Sequence, residues 1–135
     1  MSSEINQAAI SPARLWTGRV LSWLPAAMLL ASAAMNLVKP EDIVKQTVAM
    51  GYSEEVMVPL GIVLLISVLL YLYPRTAVLG AILLTGYLGG AVNTHVHHGD
   101  GIGQILLPAV VGAVLWLGLV LRDNRLLALV PWRSE

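Results

Sequence analysis

Three histidines and an acid fall within six residues: His95, His97, His98 and Asp100. Imidazole is the commonest metal ligand and titrates near neutral pH. His95 and His98 are three apart, so they share one face of a continuing helix, and Asp100 could add an oxygen ligand. Glycines at 99 and 101 turn the chain at once, however, and no second ligand pair occurs elsewhere. The sequence therefore assigns no metal site here. It leaves a solvated histidine cluster, with a pH response near 6.5 as an alternative.

A second group of polar side chains comes from separate parts of the chain. Asn36 and Lys39 close one apolar run, Asn93, Thr94 and His95 close another, and Gln104 opens a third. Lys39 offers a cation, and Asn36 and Asn93 offer amide donors and acceptors. Asn36, Lys39, Asn93 and His95 are the candidate ligand-binding residues. They suit a quinone carbonyl or a lipid head group in a shallow outward-facing pocket. The competing reading is ordinary interfacial polarity, with Lys39 snorkelling to water. No Ser-His-Asp or paired-carboxylate arrangement can be argued, so no catalytic residue is assigned. Gly99 to Gly103 lacks the strand and spacing of a dinucleotide fingerprint.

Four segments without Asp, Glu, Lys or Arg must position these groups: 20–38, 56–74, 76–99 and 101–121. Each has the length of a bilayer crossing, since about 20 helical residues match a hydrocarbon core of ~30 Å. The chain has 135 residues, 57% of them hydrophobic and 12% charged, with a mean hydropathy of +0.76. Eight basic and eight acidic residues cancel, so no nucleic-acid partner is indicated. Cysteine is absent, which excludes thiolate metal sites, iron–sulfur clusters and dithiol chemistry by this chain alone.

The expected fold is all-α: a four-transmembrane-helix bundle with a short amphipathic helix in the first outer loop. Residues 1–13 form a flexible segment, 14–122 the membrane domain and 123–135 a cytoplasmic tail. The spans are placed at about 14–38, 56–74, 76–97 and 102–121. Ser11-Pro12 starts the first, and Pro25 bends it. Glu41 to Met50 reads as the surface helix, ended by Gly51. Ser53 is expected to cap span two, and Pro74-Arg75 to turn the chain into span three. Ala31-Ser32-Ala33 resembles a signal-peptide cleavage site, but the apolar run continues past it.

Six of the eight basic residues, Arg14, Arg19, Arg75, Arg122, Arg125 and Arg133, fall on the side of the termini. The positive-inside rule puts that side in the cytoplasm of a bacterial inner membrane. Trp16, Tyr71, Tyr73 and Trp132 are expected at the cytoplasmic interface and Tyr52 at the outer one, with Trp23 and Trp116 deeper. Lipid is as apolar as leucine, so helices associate through small residues. Gly86, Gly90 and Thr94 form one row on span three; Ala77, Ala81, Thr85, Gly89 and Asn93 form another. This double row, with Gly86, Gly89 and Gly90 at its centre, predicts the most closely packed helix, and Gly90→Leu is expected to destabilise it strongly. Ala27, Ala31 and Ala34 serve span one in the same way. No span carries a carboxylate or a cation at mid-depth, which disfavours proton-coupled transport.

These residues resemble the DoxX-like family of small four-helix membrane proteins. The resemblance rests on Asn36-Leu37-Val38-Lys39-Pro40, Met50-Gly51-Tyr52, Leu60-Gly61-Ile62, Tyr73 to Ala81, Leu84 to Val92, Thr94-His95 and Gly99, over about residues 14–122. Two departures stand out. Similar proteins often carry a Glu after the Leu-Gly-Ile, where this chain has Val63-Leu64-Leu65. They also often have Ala before the Thr-His and one basic residue after it, where this chain has Asn93 and His97-His98. The resemblance implies a link to quinone-dependent redox systems. It implies an accessory or binding subunit with membrane redox partner proteins and a quinone as the cofactor class, and not an enzyme by itself. The alternatives are a small transporter and a purely structural bundle. A homo-oligomer is left open.

Overall fold

The computed structural model describes residues 10–129, all helices and connections with no strand among them. Helix α1 spans Pro12–Val38 and α2 spans Glu41–Ala49. A 3-10 turn at Glu54–Val56 leads into α3, Met57–Leu72. Helices α4, Ala77–His98, and α5, Ile102–Arg122, follow, and a 3-10 segment covers Asn124–Leu129. Trp132 and Arg133 lie outside the described residues.

The boundaries follow from local chemistry. Pro12 takes the first turn of α1, where its missing N–H is not needed, and Ser11 Oγ accepts from Arg14 N at 3.3 Å. Gly51 and Gly99 end α2 and α4 with positive φ, 95° and 81°. Lys39 ends α1 in the same left-handed region, at φ 55°, without glycine's freedom. Ser53 stands at the N-cap of the 3-10 turn, but its side chain makes no capping bond. The cap expected for span two is thus absent, because the turn intervenes between Ser53 and α3. Span three is longer than expected, since α4 continues through His98 before Gly99 breaks it.

Helices α1, α3, α4 and α5 form a ring in which each packs on two neighbours. The neighbours of α1 are α3 and α5, so α4 lies diagonally across from it. One end of the bundle holds Pro12, the α3–α4 turn and Arg122; the other holds Lys39, α2 and the α4–α5 turn. Between them runs a closed core of Ala26, Leu29 and Ala33 from α1, Leu64 and Val68 from α3, Ala81, Leu84 and Leu88 from α4, and Val111 and Leu115 from α5. Outside it the helices stay apolar. In all four, only 28% to 33% of the most apolar window is buried. Apolar surface on that scale belongs against lipid, so this is a membrane protein with four spanning helices.

Close helix contacts occur at glycines other than those expected. A Cβ at Gly86, Gly89 or Gly90 would meet nothing within 4 Å, and Ala27, Ala31 and Ala34 are exposed. A Cβ at Gly80 would lie 2.2 Å from Tyr71 N, and one at Gly118 would lie 2.6 Å from Ser22 Oγ. A Cβ at Gly18 would lie 3.0 Å from Gly118 O, and one at Gly61 would lie 3.1 Å from Ala33 O. The double-row expectation is therefore corrected. A row at i+4 precesses by ~40° per step on a helix of 3.6 residues per turn. The row that begins buried at Ala77 and Ala81 has thus rotated into the lipid by Gly89.

Candidate functional site

At the Lys39 end the polar groups pair with one another. Lys39 Nζ bonds Glu54 Oε1 at 3.1 Å, tying the end of α1 to the approach to α3. Asn36 reaches toward the Tyr87 hydroxyl of α4. Tyr52 and Thr94 share a hydrogen bond between their hydroxyls, and Thr94 Oγ1 also donates to Gly90 O at 2.9 Å. Asn93 is exposed at a cleft of about 230 Å³, beside Met50, Gly51, Tyr52, Thr94 and His97. The four candidate ligand-binding residues therefore have four different settings. Asn36 faces Tyr87, Lys39 faces Glu54, Asn93 borders the small cleft and His95 faces Asp100. The diagonal placement of α1 and α4 is the reason.

The histidine cluster is ordered by the turn that follows it. Gly99 swings the chain back so that Asp100 N donates to His95 O at 3.0 Å. The carboxylate then meets His95 Nδ1 at 2.6 Å through one oxygen and His98 Nδ1 at 2.7 Å through the other. These two bonds, His95 first, hold the Asp100 carboxyl below the usual carboxylate range. An ionised carboxylate only accepts, so both Nδ1 atoms carry protons. His97 points instead to the Asn93 cleft. Among the described residues, no group of three His, Cys, Asp or Glu side chains is arranged to hold a metal ion.

The Arg122 end brings Tyr71, Ser22 and Arg122 together, a grouping that spacing along the chain did not indicate. Tyr71 was expected at the interface, but its side chain points into the bundle and is fully buried, as is Ser22. The Tyr71 hydroxyl donates to Leu115 O at 2.6 Å and toward Ser22 Oγ at 3.0 Å, and Ser22 donates to Gly18 O at 2.8 Å. The Arg122 guanidinium lies 5.7 Å from the centre of the Tyr71 ring. Arg14 Nη2 donates to Val120 O at 3.2 Å, joining the start of α1 to the end of α5. Beside this cluster opens a cleft of about 500 Å³ between the bundle end and Asp123–Arg125. One signal was legible: Gly18, Ser22 and Ala26 repeat every fourth residue, the spacing of a close helix contact. Trp16 and Tyr73 are exposed at this end as expected, and Trp23 faces outward at mid-depth. Trp116 packs against the core, where its Nε1 donates to Thr85 Oγ1 at 2.7 Å.

Four apolar helices around a closed core, with polar groups concentrated at both ends, define a small integral membrane protein. A family model described as the DoxX-like family matches residues 20–118, and the chain belongs to that family. No curated protein and no solved structure matches it. Val63–Leu65 lie on α3. Leu64 there is completely buried in the core.

Proposed function

We propose that this protein is an accessory or binding subunit of a quinone-linked membrane redox system, engaging its ligand or partner at the Lys39 end. The observation that carries the reading is the closed apolar core, which favours binding at the surfaces over passage through the bundle. The cleft beside Asn93, Tyr52 and Thr94 supplies an amide and two hydroxyls at the depth of the head groups. At about 230 Å³ it is smaller than the roughly 300–1,000 Å³ usual for whole ligands. It suits a quinone ring or a lipid head group, with the tail lying along the helices. The excess of arginine at the opposite end supports a cytoplasmic location for the termini in a bacterial inner membrane.

Isolation in mild detergent followed by mass spectrometry tests this. A retained quinone that is depleted in Asn93→Leu, or a redox partner that co-purifies reproducibly, is the expected result. Isolation with neither would sink the proposal, and solute flux in proteoliposomes would favour a transporter instead.

A further inference from the structure

We propose that the cleft at the Arg122 end binds the phosphate of an anionic membrane lipid. The first observation is an unsatisfied guanidinium nitrogen. Arg122 Nη2 is buried and has no hydrogen-bond partner among the described residues. A buried guanidinium nitrogen without an acceptor costs free energy that an anion would recover. The remaining contacts of Arg122 are neutral: Gly118 O, 3.4 Å from Nε, and the Tyr71 ring and hydroxyl.

The second observation is the balance of charge. Arg14, Arg19, Arg75, Arg122 and Arg125 gather at this end, where Asp123 is the only acid among the described residues. Asp123 is already engaged, since its Oδ1 accepts from Arg125 Nε at 3.2 Å and from Arg125 N at 2.9 Å. The third is the character of the walls. Arg122 and Arg125 line the cleft together with Ile10, Leu15, Ala77 and Leu119. An apolar wall beside two arginines fits a phosphodiester that carries acyl chains better than a free phosphate. Arginine binds phosphate through two parallel N–H bonds, and the end of a spanning helix lies at the level of the head groups.

Native mass spectrometry of the full chain in detergent, with phosphatidylglycerol, phosphatidylcholine or inorganic phosphate added, tests the proposal. Phosphatidylglycerol should be retained at least fivefold more than phosphatidylcholine. Arg122→Gln should abolish that preference. Should this variant fail to fold, Arg125→Gln decides, because its side chain is 72% exposed; it should cut retention at least threefold. Lys45→Gln, at the other end, should leave retention unchanged. Equal retention of the two lipids, retention unaffected in Arg125→Gln, or an equal loss in Lys45→Gln would each overturn the site. Inorganic phosphate displacing phosphatidylglycerol at millimolar concentration would overturn the lipid as its source.

Discussion

The two ends of this bundle solve the same problem in opposite ways. At the Lys39 end the polar side chains sit in loops and last turns, where water reaches them, and they pair locally: Lys39 with Glu54, His95 and His98 with Asp100. At the Arg122 end the polar side chains turn inward. Tyr71 and Ser22 are fully buried; Tyr71 donates to the Leu115 carbonyl of a neighbouring helix, and Ser22 to the Gly18 carbonyl of its own. Glycines accompany them there, because a hydroxyl can reach the next helix's carbonyl only where backbones approach closely. Exposed pairs in water contribute little to stability. A buried hydroxyl has no such alternative partner, so its loss is felt in full. The Arg122 end thus fixes the helices, and the Lys39 end contributes less to holding them together.

The largest test of that division is a pair of glycine substitutions. Gly80→Ala forces a Cβ to 2.2 Å from the Tyr71 backbone and should cost about 3 kcal/mol or more, the upper range for overpacking. Gly90→Leu, in open space, should change stability by no more than ~0.5 kcal/mol. Thermal melting in detergent reads both. A strong loss in Gly90→Leu would instead point to an oligomer packed on that face. Next is Tyr71→Phe, which removes the buried hydroxyl between Leu115 O and Ser22 Oγ and should cost ~1–3 kcal/mol. Were it to melt like the parent, the two ends would not differ as described.

The smallest effect is acid-dependent. The Asp100 carboxyl is held below its ordinary value by His95 and His98. Its stabilising contribution is therefore complete above the unfolded value of about 3.9, and disappears as pH falls through the lower folded value. Comparing melting of the parent with Asp100→Asn should show a difference that closes as pH falls below about 4. A difference that grew as pH fell below about 4 would reverse this assignment.

The four spans were legible because charge-free length is a property of composition and needs no partner. The short helix Glu41–Ala49 and the turns at Gly51 and Gly99 were legible because proline, acids and glycine act within one turn. Which glycines pack was not. Gly86, Gly89 and Gly90 are more conspicuous in the sequence than Gly18 and Gly118, yet the latter make the contact. Spacing along one helix says which residues share a face for a turn or two, and leaves open which helix that face meets. Tyr71 was misplaced for the same reason: its height near the end of α3 was right, and its direction depended on Ser22 and Leu115 from other helices.

The sequence by itself determined that this chain enters a membrane, where it crosses, and that its polar groups gather at the ends. Those outcomes follow from the cost of placing charge and unpaired backbone in hydrocarbon, a cost each segment meets alone. Only the tertiary structure decided that α1 and α4 stand on a diagonal. That arrangement gives Asn36, Lys39, Asn93 and His95 separate settings, and it places Tyr71, Ser22 and Arg122 together. Helix neighbours are chosen by matching surfaces from distant parts of the chain, and that match is written in no single segment.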